Sequence, residues 1–227
     1  MKYLIGLFLV SASIFTGCST LQNSSKYELA NGKYKLITEK KIVNSYVENS
    51  GDTVKIIYLP SKTFMLLPLK TNDVIMARQK LIVPSFDIDI LTALLKVRPS
   101  VKQILPAQLN TNFNGNIYVG KRTDVYNISY HKNAIDEYTR YINHFGISGG
   151  IILGISNTAM NATTTNNNIT SDYDGIVLQK GIAGIIAVNK LTIGLSIGFD
   201  NLLDKNKSVW LYEKKPWYGL MLGLNLN

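Results

Sequence analysis

Residues 190–200 read Lys-Leu-Thr-Ile-Gly-Leu-Ser-Ile-Gly-Phe-Asp. Leu191, Ile193, Leu195, Ile197 and Phe199 fall on one parity; Thr192, Gly194, Ser196, Gly198 and Asp200 fall on the other. Successive side chains point to opposite faces only in an extended strand, so this period of two predicts a β-strand with one apolar face. The other face carries only small or polar groups.

The same alternation recurs outward from that run. In 218–227, Tyr218, Leu220, Leu222, Leu224 and Leu226 oppose Gly219, Met221, Gly223, Asn225 and Asn227. In 143–156, Phe145, Ile147, Ile151, Leu153 and Ile155 oppose Gly146, Ser148, Gly150, Gly154 and Ser156, with Ile152 out of step. In 109–120, Leu109, Phe113, Ile117 and Val119 oppose Asn110, Asn112, Asn114, Asn116 and Tyr118. Segment 173–188 alternates more loosely. Segment 85–99 begins with Phe86, Ile88 and Ile90 against Asp87 and Asp89, then loses its register between Leu91 and Leu95, which predicts a bulge.

Alternation alone also fits a soluble β-sandwich. Three features favour a membrane. Segments 109–120, 143–156, 190–200 and 218–227 match the roughly 9–11 residues of a tilted transmembrane strand. Their apolar faces lack charge, and a Lys or Arg there costs about 2–4 kcal/mol at mid-bilayer. Their opposite faces are rich in Gly, Ser and Asn, as suits a crowded lumen. Tyr118, Tyr141, Phe145, Tyr173, Phe199, Trp210, Trp217 and Tyr218 lie near strand ends and are expected to form interfacial girdles. Because lipid satisfies no open sheet edge, the strands must close. The expected fold is therefore all-β: a closed antiparallel up-and-down membrane β-barrel over 84–227. Two further strands, from 42–48 and 53–59 or from 60–83 and 122–130, would bring the six segments to about eight. The polar run 161–172 predicts a long low-complexity loop, and Lys132–Tyr141 is the one stretch after residue 84 with helical character.

The N-terminus predicts an address. Lys2 and the apolar run Tyr3–Val10 form an export signal over 1–17, too short to span a bilayer permanently. Phe15-Thr16-Gly17-Cys18 resembles a lipobox, with Phe where Leu is usual, which makes Cys18 the acylated first residue of the mature chain. Ser19 supplies no acidic retention signal, so the expected location is the outer membrane. Cys18 is the one cysteine in the sequence, so disulfides within the chain, CxxC redox sites and structural zinc are excluded. Residues 18–32 read as a polar tether and 33–83 as a short β-segment, in which VNSYVEN, Ser50-Gly51-Asp52 and TVKIIYLP form a hairpin signal. The net charge is +9 with 17% charged residues. For an exported chain this favours anionic outer-membrane lipid and lipopolysaccharide as partners, and disfavours nucleic acid.

The runs FDIDILTALLKVRP, QLNTNFNGNIYVGKRTD, DYDGIVLQKGIAG, IGLSIGFDNLLD and KPWYGLMLGLNLN, spanning about 85–227, resemble a family of small, largely uncharacterised outer-membrane β-barrel lipoproteins. The stretch YELANGKYKL is similar to that family's leader segment. The resemblance implies a fold and a location, and no activity.

Asp87 and Asp89 are expected to point into the lumen with Lys96 and Arg98, and with Lys121 and Arg122 across neighbouring strands. They form a polar cluster that is either a ligand site or a salt-bridge plug. No catalytic residue, metal site or cofactor is expected. His144 and Ser148 share a face about 13 Å apart, too far for proton transfer, and Ser129 and His131 lie about 7 Å apart in an expected loop. Gly146-x-x-Gly149-Gly150 and Gly181-x-x-Gly184 lack the Lys-Ser/Thr of a phosphate loop. Asp52-Thr53-Val54 matches a short O-glycosylation pattern. The expected role is structural, or a surface interaction through loop 157–172. The alternatives are a lipid-anchored soluble β-fold that binds a ligand, and a barrel acylhydrolase acting on envelope lipid.

Overall fold

The computed structural model describes residues 28–38, 41–72, 78–101, 104–188 and 191–225. Cys18, the signal 1–17 and the tether up to residue 27 lie outside them, as do Asn189-Lys190 and Leu226-Asn227. The described residues form antiparallel β-structure and one short 3₁₀ turn, Lys205–Ser208. The strands are β1 Gly32–Ile37, β2 Ile42–Asn49, β3 Thr53–Tyr58, β4 Phe64–Pro68, β5 Lys70–Thr71 and β6 Gln79–Arg98. They continue with β7 Gln108–Asn110, β8 Asn114–Lys132, β9 Tyr138–Met160, β10 Tyr173–Val188, β11 Leu191–Leu202 and β12 Pro216–Asn225.

Among the described residues there are twelve strands, not the expected eight. The sequence segments beginning at 85, 109, 143, 173, 190 and 218 become β6, β8, β9, β10, β11 and β12, which follow one another around a partial ring. β12 pairs with both β11 and β6. The two extra ring strands were inferred from the usual size of a barrel. On the inward face, a Cβ at Gly150, Gly154 or Gly181 would run into the backbone of the neighbouring strand, so the close approach there requires glycine.

The chain divides into two compact units: residues 1–83 with 124–144, and 84–123 with 145–226. In the first, β1 to β4 form a meander, β1 also pairs β6 through Leu36↔Leu81, and β5 pairs β9 through Lys70↔Thr139. The hairpin expected around Ser50-Gly51-Asp52 joins β2 to β3, with Gly51 at φ +82°. Leu36, Val47, Val54, Ile56, Leu67, Leu81 and Tyr126 form its core. Residues 28–31, expected as tether, pack here instead. Leu29 is buried, the Glu28 carbonyl accepts from the Tyr126 hydroxyl, and Asn31 Oδ1 accepts from the Asn49 N–H. Lys132–Tyr141 is no helix: β8 runs to Lys132, a turn with Asp136 at φ +65° follows, and β9 starts at Tyr138.

In the second unit the parity read from sequence holds along the strands. Ile117, Ile151, Ile182, Leu195 and Tyr218 are exposed on one face, while Asn116, Ala183, Ser196 and Met221 are buried on the other. Ile152, out of step in the sequence, is buried inside. The bulge in β6 is present: Leu220 pairs with Leu95 but Met221 with Ala93, so Leu94 has no opposite number and both Leu94 and Leu95 face outward. This one extra residue switches the inward parity from odd (Asp87, Asp89, Leu91, Ala93) to even (Lys96, Arg98).

One expectation fails here. Tyr118 and Trp217 are buried rather than placed in an outward girdle because each falls at an inward strand position, and Trp210 because it packs in an apolar cluster between strands. Tyr141, Phe145, Phe199 and Tyr218 are exposed. The run 161–172 is a loop, as expected, and is held by its own hydrogen bonds. Asn166 and Asn167 adopt the left-handed conformation that Asn tolerates, the Thr165 hydroxyl donates to the Asn161 carbonyl, and Thr164 and Thr165 are buried. Beneath these connections Leu105, Met160, Val177, Leu202, Trp210 and Tyr212 form a separate apolar cluster.

Candidate functional site: polar clusters on the inward face

All four residues of the expected lumen cluster, Asp87, Asp89, Lys96 and Arg98, are buried on the inward face, but they do not share one site. Lys96 Nζ and Arg98 Nη2 each lie 2.6 Å from the same oxygen, Oδ2 of Asp200. Arg98 Nη1 donates to the Thr158 hydroxyl at 2.9 Å, and Gln179 Nε2 lies 3.4 Å from Asp200 Oδ1. The Lys96 ammonium sits 4.4 Å from the Trp217 ring centroid. The Arg98 guanidinium lies over both Trp210 and Tyr212, at 5.2 and 5.3 Å. Burial pushes the Tyr212 hydroxyl up, and the positive charge of Arg98 pulls it the other way.

Asp200 is the residue that sequence reasoning did not single out. Its parity placed it on the small-residue face, where it was the one charge among Thr, Gly and Ser. That was the available signal. Its partner Lys96 is 104 residues away, beyond the reach of any local pattern.

Asp87 and Asp89 belong to a second group. Both lie within electrostatic reach of the Tyr118 hydroxyl, as does Arg122. Tyr118 and Ser148 share a hydrogen bond of 2.6 Å, and the Ser148 hydroxyl also donates to the Lys121 carbonyl at 3.2 Å. Arg122 is therefore inward as expected, whereas the Lys121 side chain is exposed. The asparagines that marked 109–120 have a structural task beside the bulge. Asn114 donates to the Ala93 carbonyl and accepts from the Ala93 N–H, so one side-chain amide satisfies both backbone groups of that residue.

The two histidines lie in the first unit. His144 Nε2 is 2.6 Å from Asp124 Oδ1 and stacks on Tyr126 at 4.6 Å, so its partner is a carboxylate rather than Ser148. Ser129 and His131 are hydrogen-bonded at 3.1 Å, closer than their Cα spacing indicated, because both side chains leave the same face of β8 and lean together. They sit in a strand, not a loop.

No protein-family model, curated protein or solved structure matches the chain. The chemistry is thus read from the geometry. Around Lys96, Arg98 and Asp200, two buried cations face one carboxylate, a surplus of positive charge in a surrounding of aromatic rings, a threonine and a glutamine.

Proposed function

We propose that this chain is an outer-membrane lipoprotein, acylated at Cys18, whose six ring strands close as a small barrel in the bilayer. Its role is structural, or a surface interaction through the ordered connections. One observation carries the reading. Outward residues such as Phe113, Ile151 and Leu195 are 81%, 63% and 70% exposed, while charged residues crowd the inward face, with Asp87 at 0% and Asp200 at 1%. Monomeric proteins in water rarely expose a contiguous apolar surface larger than a few hundred Å². A belt that recurs on successive strands is the pattern expected against lipid. The exported N-terminus, the net charge of +9 and the resemblance noted above point the same way, toward anionic envelope lipid and lipopolysaccharide as surroundings.

The test is fractionation of Cys18→Ala. The variant is expected to remain in the membrane pellet after carbonate washing, and to migrate faster on a gel when unheated. Release into buffer with no heat-dependent shift would sink the barrel and favour a lipid-tethered soluble β-fold.

The Ser129–His131 hydrogen bond supports a second reading, an acylhydrolase acting on envelope lipid. It is the weaker one, because no carboxylate orients His131 among the described residues; its other neighbour is the Tyr141 ring. Lipid A of unchanged mass after overexpression counts against it.

A further inference from the structure

A polar cavity of about 310 Å³ in the second unit ends on Arg98, with Gln108, Asn110, Thr158, Asn161 and Thr164 among its walls. Since a water molecule takes about 30 Å³ of liquid, the space accepts roughly ten, close to one sugar ring. Its charged lining residue, Arg98, is only 2% exposed. Arg98 donates to Thr158 and Asp200, which leaves further N–H donors of its planar fork unspent. Asp200 does not neutralise it, because Lys96 competes for the same Oδ2. Trp210, stacked on Arg98, holds a buried indole N–H that no protein acceptor meets.

Two buried cations share one carboxylate, so the group carries an excess of positive charge, and a cavity lined by one of them selects an anion. Beside Leu109 and Ala159, the other walls are amides and hydroxyls, which both donate and accept and so fit a body bearing hydroxyl groups. We infer that this cavity binds a compact phosphate or carboxylate carried on a hydroxylated body, such as an acidic or phosphorylated sugar, with Arg98 holding the anionic group in its bidentate fork. The inference concerns the second unit alone and stands whether or not its strands cross a membrane.

Calorimetric titration of the full-length protein in detergent micelles tests it, with inorganic phosphate, glucose 6-phosphate, glucuronate and glucose as probes. Glucose 6-phosphate and glucuronate are expected to bind with Kd of about 1 mM or tighter, and glucose at least about tenfold more weakly. Binding of inorganic phosphate as tight as that of the sugar phosphate would reduce the ligand to the free anion and overturn the hydroxylated body. Asn110→Ala and Gln108→Ala are expected to weaken sugar-phosphate binding several-fold without shifting the melting temperature, which keeps the test valid if Arg98→Gln misfolds. No heat from either sugar acid at about 10 mM, or equal binding of glucose, would overturn the proposal.

Discussion

Trp217 occupies the space that a side chain at Gly198 would need. The two residues stand opposite each other on β12 and β11, and a Cβ on Gly198 would run into the indole ring. Trp217 is fully buried and holds Lys96 against its other surroundings, so it has no free direction in which to retreat. Gly198→Ala is therefore expected to destabilise by about 1–3 kcal/mol, the usual range for an overpacked core. Gly184 on β10 provides the contrast, because nothing lies within 4 Å of a Cβ built there. Gly184→Ala should change stability by less than about 0.5 kcal/mol. The temperature at which the unheated gel species disappears reports both. Equal losses would mean that close approach is not what requires glycine at 198.

Among the described residues, Asp200 is the single anion to which Lys96 and Arg98 are paired, and all three are almost fully buried. Removing that charge leaves two cations uncompensated in a low-dielectric site. Asp200→Asn is expected to cost about 3–5 kcal/mol, the range for breaking a buried pair. A second change, Lys96→Met, should recover part of the loss, since it removes one of the stranded charges while keeping the packing on Trp217. The double-mutant cycle measures this. Strict additivity of the two losses would show that the three charges do not act together.

The bulge at Leu94 sets which residues of β6 face inward. Deleting Leu94 joins Ala93 directly to Leu95, which restores consecutive pairing with Met221 and Leu220 and leaves Lys96 and Arg98 on the inward side. Deleting Val97 has the opposite effect: Arg98 follows Lys96 immediately and is turned to the outer face, away from Asp200. Both deletions remove one exposed apolar residue, so burial of that residue does not distinguish them. The Leu94 deletion is expected to retain heat-dependent gel migration and the Val97 deletion to lose it. The reverse order would contradict the switch of parity described above.

These three cases show what was legible beforehand. The six ring strands, their outward faces and the bulge were readable because period-two patterning is local and a break in it is local too. The count of strands was not. The partial ring of six depends on contacts between different strands, such as that of Gly198 with Trp217, which leave no local pattern. The polar cluster was half readable: Asp87, Asp89, Lys96 and Arg98 were assigned to the correct face, but their partners come from strands far along the chain. Loop 161–172 was legible as a loop, but the side-chain-to-backbone hydrogen bonds of its Asn and Thr residues, which order it, do not show in composition.

Tyr34 links the first unit to alkaline pH. It is buried in that unit's core, meets the Tyr126 ring edge-on and donates its hydroxyl proton to the Ala30 carbonyl at 2.9 Å. Burial raises its pKa from 10.0 to about 12, opposed by the bond to Ala30 and assisted by the negative charge of Asp124. The phenol is neutral when protonated, so the unfolded chain releases this proton at lower pH than the folded one. The stabilisation is complete below about pH 10 and is lost as pH rises through about 12. Tyr212 and other tyrosines are raised by burial too, so absorbance at 295 nm should show a late-titrating group, and Tyr34→Phe should reduce its amplitude by one tyrosine while flattening the fall in stability across the same window. If the variant keeps the full late amplitude, the protection assigned to the core around Tyr34 is absent.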